Sequence, residues 1–278
     1  MADDFITTTT QANVVPEIWS KEIIFTLQNK RYMRNLVDTV EVPEGADTWH
    51  LPTMGTFTAE EITEGTVLES ANITPGQTDL VIDQLWAVPF TISKRAMIQS
   101  QKNVDWQRTY QTLAADALAK KLDDDGHAYY SSMSQAVECT SVMTAAKILE
   151  ATELLDEANA PEEDRFCLIH PNQKTALLQI ANFVQAERYG SSIPIQRGEI
   201  GMIYGVRFLV TNSISTTTTH HYNLMFHRDY MKIGIQQDVT VDPPQWMTLR
   251  QGWDSCATIL YGSVEKRDDH GVSIRTTV

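Results

Sequence analysis

Between Asn35 and Ser93 the chain carries no Lys or Arg, yet it holds ten acids: Asp38, Glu41, Glu44, Asp47, Glu60, Glu61, Glu64, Glu69, Asp79 and Asp83. Pro43, Gly45, Pro52, Gly55, Gly65, Pro75 and Gly76 cut the same stretch into short runs of strand formers, such as Thr48-Trp49-His50-Leu51 and Leu80-Val81-Ile82. No helical period survives that many breakers. Two runs of about 15–20 residues folded back on each other would reach ~50–60 Å. Two strands alone are at best marginally stable in water, so the segment must lie on something else, either the body of this chain or a neighbouring copy. Basic residues flank it on both sides, Lys21, Lys30, Arg31 and Arg34 before and Lys94, Arg95, Lys102 and Arg108 after. Charge complementarity between copies fixes register and suppresses wrong partners. An inter-subunit contact is therefore expected, carried by Trp19, Glu60, Glu61, Glu64, Glu69, Lys94, Arg95, Lys102 and Arg108.

The rest of the chain can build a proper core, with 42% hydrophobic residues in 278. Its net charge of −14 argues against a generic nucleic-acid binder, because duplex binding runs on phosphate neutralisation. No apolar run approaches the ~20 residues of a membrane span, and Met1-Ala2-Asp3-Asp4-Phe5 lacks the regions of a signal peptide. Cys139, Cys167 and Cys256 are too few and too dispersed for a disulfide framework or a zinc module. A soluble protein made in a reducing cytoplasm is expected.

The periodicities alternate between helix and strand. Residues 1–13 are polar, and Pro16 opens a helix through Trp19, Ile23 and Leu27 that runs out near Arg31 and Arg34. Ser93 caps a short helix from Lys94 to about Ser100. Asn103 to Asp125 reads as the strongest helix, with Trp106, Tyr110, Leu113, Ala114, Ala117, Leu118 and Leu122 in a stripe and Gly126 as its left-handed stop. Thr144 to Glu157 reads as a further helix, Arg165 to His170 as a buried strand, and Pro171 as the start of another helix. Residues 186–201 read as loop, with Gly198, Gly201 and Gly205 as turns. Strands are expected at Val206–Thr211, Tyr222–Phe226, Met231–Ile235, Val239–Val241 and Ala257–Tyr261, and in the alternating tail Val272, Ile274, Thr276 and Val278. The class is α+β, with a central lobe interrupting elements that pair across it.

Chemistry-bearing patterns are sparse. There is no phosphate loop, no H-E-x-x-H and no G-x-S-x-G elbow. His220, His221 and His227 are the best metal candidates, but His221 and His227 would lie ~20 Å apart along a strand, too far for one ion. Exposed loop histidines are the simpler reading. Asp123-Asp124-Asp125 with His127 sits at a helix C-terminus, where three acids oppose the macrodipole and need compensation from Lys120 and Lys121 or a basic partner. The cysteines read as structural thiols. No cofactor, metal site or catalytic residue is assigned.

The order of these parts resembles the major capsid proteins of tailed bacteriophages. The resemblance rests on Val14-Val15-Pro16-Glu17-Ile18-Trp19-Ser20, then the glycine-punctuated loop, then Phe90-Thr91-Ile92-Ser93 leading to a long helix ending at Leu122-Asp123, and Phe166-Cys167-Leu168-Ile169-His170-Pro171 before a helix. It covers nearly the whole chain. It implies an N-terminal arm (1–42), an extended β-hairpin loop (43–92), a peripheral domain with a long spine helix (93–140 and 230–278) and an axial domain (141–229). It further implies self-assembly into hexamers and pentamers of an icosahedral head that encloses double-stranded DNA without sequence-specific binding. Assembly would take place in the host cytoplasm, the mature location being the virion capsid. Nothing precedes the arm, so assembly is expected to use a separate scaffolding protein or none, with a portal and a cement protein as further partners. Two other readings stay open at this point, an encapsulin-type compartment of the same fold and a metal-dependent hydrolase using the histidines or the Asp123 cluster.

Overall fold

The computed structural model describes residues 31–55, 57, 59, 61, 73–99, 106–179 and 201–277. Its elements form two sheets and a projecting hairpin. The first sheet has five strands: β1 (Asp38–Glu41), β4 (Gln84–Ser93), β10 (Met231–Val241), β11 (Gln245–Met247) and β12 (Gly252–Glu265). β12 is its axis, antiparallel to β10 on one side and to β4 on the other, while β1 runs parallel to β10 at the edge. α3 (Trp106–Ala128) lies on one face of this sheet. Its Ala114, Leu118 and Leu122 meet Ile233, Ile235, Ala257, Ile259 and Tyr261 in one buried cluster. The alternation along β12 follows, since successive side chains of a strand face opposite ways.

The second sheet has six strands in the order β5 (Gln135–Glu138), β13 (Gly271–Thr277), β9 (His220–His227), β6 (Arg165–Ile169), β8 (Val206–Val210) and β7 (Met202–Ile203). α4 (Ala145–Glu157) covers one face with Ile148, Ala151 and Leu155, against Cys167, Ile169, Met225, Val272 and Ile274. The alternate residues Phe166, Leu168, Leu224 and Phe226 turn the other way and join the cluster under α3. β6 is consequently buried at all five positions, and a strand covered on both faces reads as a continuous apolar run.

Local signals hold where they depend on neighbours in sequence. Ser93 Oγ accepts the Ala96 N–H at 3.2 Å at the start of α2 (Lys94–Gln99). Thr144 caps α4 through the Lys147 N–H, and Pro171 opens α5 (Pro171–Leu178). The two-residue turn between β7 and β8 puts Tyr204 at φ 52° and Gly205 at φ 77°, the mirror-image turn that matches strand twist. Met231 to Val241 is one strand, its two sequence-read halves joined across irregular register near Gln237.

One expectation needs revising, and two of the boundaries read from the sequence fall within packed elements. Gly126 does not stop α3, which runs on to Ala128. It is glycine because Met33 packs there, with a Cβ falling 2.9 Å from Met33 Cγ. Residues 31–42, read as the end of the arm, are built into the body: Met33, Leu36 and Val37 are buried in the main cluster, and α1 (Met33–Leu36) leads into β1. Finally, 135–138 and 271–277, read with the peripheral part, are paired in the six-stranded sheet, because the tail finds its antiparallel partner in β9. The Pro16–Lys30 helix, the Asn103 cap and the 186–200 loop lie outside the described residues.

Candidate assembly surfaces

The hairpin of β2 (Thr48–Thr53) and β3 (Gly76–Val81) rises from the sheet face opposite α3. Gly234 and Gly262 are direct register partners on β10 and β12, and together they make a flat seat. On it rest Leu80 (0% exposed), Val42 and Ile82. A Cβ on Gly234 would meet the Leu80 side chain at 2.7 Å, and one on Gly262 would overlap the Val81 carbonyl oxygen. The root is thus packed on the body of its own chain. Further out Met54 (81%), Phe57 (74%) and Glu61 are exposed. Its outer surface carries a polar cluster in which Asp79 Oδ1 bonds His50 Nδ1 at 2.7 Å and accepts from Gln77 Nε2 at 2.6 Å. Those two contacts, His50 first, hold the Asp79 carboxyl below the usual carboxylate range.

A cationic cleft opens where β4 passes into α2. It encloses about 420 Å³ and is lined by Ser93, Lys94, Arg95, Ile98, Arg250 and Gln251. The Lys94 N–H donates to the Gln251 carbonyl at 2.8 Å. Lys94 Nζ stands 6.0 Å from the ring of Trp246, which meets Trp253 edge-on at 4.8 Å. Ile98 and Leu249 are exposed beside it. At the opposite edge of the sheet, Glu41 and Glu44 line an open groove of about 810 Å³, where Arg34 clasps Asp238 at 3.0 and 2.8 Å.

Of the interface residues read from the sequence, the structure brings Lys94 and Arg95 together in the cleft and leaves Arg108 exposed on the first turn of α3. Glu61 is exposed on the hairpin. Trp19, Glu60, Glu64, Glu69 and Lys102 lie outside the described residues. Ile98, Arg250, Gln251 and Trp246 were not singled out from the sequence. Arg250 reaches the cleft only through the β4–β12 ladder, and no local pattern announces that pairing.

The metal and acid–base candidates resolve differently. His221 (5% exposed) and His227 (7%) are buried, so they are not the exposed loop histidines expected. β9 begins at His220 because Thr276 and Thr277 of β13 pair with it. His221 stacks on His170 at 3.8 Å, and His227 meets His270 edge-on at 5.8 Å. The candidate ligands thus pair away from one another, and among the described residues no three His, Cys, Asp or Glu side chains form a metal-binding group.

The Asp123 cluster has a structural task. Lys120 and Lys121 pair with Asp124 and Asp125. Asp123 Oδ1 accepts the Tyr32 and Met33 N–H groups at 2.9 and 2.8 Å, capping α1, and its Oδ2 lies 3.3 Å from His127 Nε2. Burial alone would push this carboxyl up. The His127 contact and the two backbone donors outweigh it and hold Asp123 below its ordinary value. Cys139 and Cys167 are buried free thiols, Cys256 is half-buried, and burial raises the Cys167 thiol far above its usual range. Among the described residues no helix is long and apolar enough to cross a membrane.

Residues 99–278 match the family model described as phage capsid protein. No curated protein matches the chain. Among solved structures, a chain from Mycobacterium phage Che8 superimposes with a TM-score of 0.80 at 20% identity, over 94% of this chain and 97% of that one. The capsid of the cyanophage P-SCSP1u gives 0.79 at 17%, over 95% and 93%. The capsid of a native GTA particle gives 0.72 at 14%, over the whole of both chains. At such identities the likeness is one of fold.

Proposed function

The chain belongs to the phage capsid protein family and has the α+β fold of tailed-phage major capsid proteins, and from that premise we propose that it closes into hexamers and pentamers of an icosahedral head around double-stranded DNA. As a capsid protein its place is the virion and its role structural. In this reading no catalysis is assigned to it. It assembles in the host cytoplasm with a separate scaffolding protein, a portal and, where one is present, a cement protein. The N-terminal segment, read as residues 1–42, acts as the arm and the hairpin as the extended loop. The five-stranded sheet with α3 is the peripheral domain and the six-stranded sheet with α4 the axial domain.

One observation carries the reading. The acidic, cation-free hairpin is rooted at the Tyr261 end of the β4–β12 ladder, and the cationic cleft opens at its Gly252 end. Ten residues of β4 separate them, a span of about 30 Å. A surface and its complement at opposite ends of one subunit suit head-to-tail contacts, which close into rings when the rotation permits. The net charge of −14 suits a container that must hold DNA without adhering to it. A strongly positive lumen in the assembled particle would contradict that part.

Electron microscopy of the purified full-length chain, with light scattering, is expected to reveal closed shells or capsomer rings. Changing Glu60, Glu61, Glu64 and Glu69 to Gln should leave the circular dichroism of the subunit unchanged. Association should weaken about tenfold, equivalent to about 1.4 kcal/mol, and the gap should narrow as salt shortens the Debye length to ~8 Å. Unchanged shell yield at low salt removes this loop from the interface. Enzyme cargo in place of DNA inside native particles replaces the phage head by an encapsulin-type compartment.

A further inference from the structure

Among the described residues the chain passes between its two sheets three times, and the three passages meet. Residues 128–135 lead from α3 to β5, 227–231 from β9 to β10, and 265–271 from β12 to β13. Tyr230, 1% exposed, is their shared point. Its carbonyl accepts the Lys266 and Arg267 N–H groups at 2.8 and 3.1 Å, and its hydroxyl donates to the Tyr129 carbonyl at 3.1 Å. Gly271 leaves room for the ring, since a Cβ there would lie 2.7 Å from Tyr230 Cδ2. The Ser134 N–H ties the first passage to the third through Asp268 Oδ1 at 2.8 Å. Any rotation of one sheet against the other must be absorbed at a few such element-terminal residues.

Beside Tyr230, two buried imidazoles from different passages face each other. His227 and His270 have ring centroids 5.8 Å apart at 83°. His227 Nδ1 accepts the Asp229 N–H at 3.1 Å, so the neutral ring carries its proton on Nε2. His270 Nδ1 is buried with no hydrogen-bond partner. The charged groups facing the pair are Asp164 and Arg165 at the start of β6, Asp229 on the second passage, and Arg267 and Asp269 on the third. Asp229 is already paired with Lys266 at 3.3 Å. Arg165, directly opposite His227 in the ladder, is held by the Ala160 and Pro161 carbonyls and by Asp156.

We propose that the His227–His270 contact is an acid-sensitive joint between the second and third passages where they meet the six-stranded sheet: neutral, it holds these two passages together, and protonated on both rings it drives them apart. Burial lowers both imidazoles from the ordinary value of 6.5, with Asp229 and Asp164 opposing at His227 and Asp269 at His270. A depressed folded value means that the unfolded chain takes up protons first. The joint is therefore intact above about 6.5 and weakens as pH falls through the folded value. This follows from the chain's own geometry and does not depend on the shell reading.

Hydrogen exchange on the full-length protein at about pH 7.5 and about pH 5.5, corrected for intrinsic rates, tests it by reading local opening. Protection in peptides covering 227–231 and 265–271 is expected to fall about tenfold at the lower pH, and that of Phe166–Ile169 less than twofold. The double variant His227→Asn, His270→Phe keeps an acceptor for the Asp229 N–H and cannot charge, so the fall should vanish. Should that variant not fold, His270→Gln alone is expected to remove more than half of the fall. An equal fall in the variants, or an equal fall throughout the wild-type chain, overturns the proposal.

Discussion

Gly262→Ala is expected to unseat the hairpin from the sheet, while Gly234→Ala, one strand away, leaves it in place. The two glycines face each other in the β10–β12 ladder and lie under the same root, but they meet different atoms. A Cβ on Gly234 touches Leu80 Cδ2 at 2.7 Å and Ile82 Cδ1 at 3.0 Å, flexible ends that can turn aside. A Cβ on Gly262 meets backbone, the Val81 carbonyl carbon at 2.9 Å and its oxygen closer still, and backbone in a paired strand cannot give without losing its ladder. Overpacking of that kind costs about 3 kcal/mol or more, against about 1 kcal/mol for the side-chain contact. Denaturant titration followed by circular dichroism measures the difference, and electron microscopy should find Gly262→Ala without shells. Equal behaviour of the two variants would show that the root does not rest on this seat.

Asp123→Ala carries the second large effect. The carboxylate is 3% exposed and satisfies two backbone donors of α1 from a distance of some ninety residues in the chain. Hydrogen bonds to a charged acceptor contribute about 1.5–3 kcal/mol each, and the alanine leaves the Tyr32 and Met33 N–H groups and His127 facing a void. A loss of about 3 kcal/mol or more is expected, with segment 31–42 becoming cleavable by protease before the rest of the body. Asp123→Asn keeps an acceptor oxygen and should lose about half as much. The sign of the pH effect follows from the lowered folded value. The contribution of the charge is complete above the ordinary carboxylate value of 3.8 and disappears as pH falls through the folded one. Stability of the wild type at neutral pH should thus exceed that of the alanine variant by the full amount, and the gap should narrow by about half in strong acid, where the protonated carboxyl still offers a carbonyl acceptor.

Much of this was legible in the sequence. The breakers and charge block between Asn35 and Ser93 announced an extended, acidic hairpin, and Ser93, Thr144 and Pro171 marked three helix starts. The buried strand at Arg165–Ile169 was plain from the apolar run Phe166–Ile169 within it. What failed did so for non-local reasons. Gly126 looked like a stop because glycine commonly ends helices, yet Met33 needs its missing side chain. His221 and His227 looked exposed beside a run of threonines, and the pairing of β9 with β6 and β13 buries them. Arg250 joined the cationic cleft from a distant turn that carries no signal of its own.

The sequence by itself determined the α+β class, the sites of the main helices and strands, the separation of acidic from basic surface, and the order of parts that resembles a capsid subunit. Each of these is written in residues a few positions apart, where period, capping and backbone restriction act. Only the tertiary structure decided that residues 31–42 belong to the body, that Gly234 and Gly262 form one seat, and that three passages close on Tyr230 beside two histidines. Those outcomes depend on which strand edges meet and which faces are covered. Loop closure discriminates only weakly by length, so the choice of partner falls to burial and register summed over the whole chain.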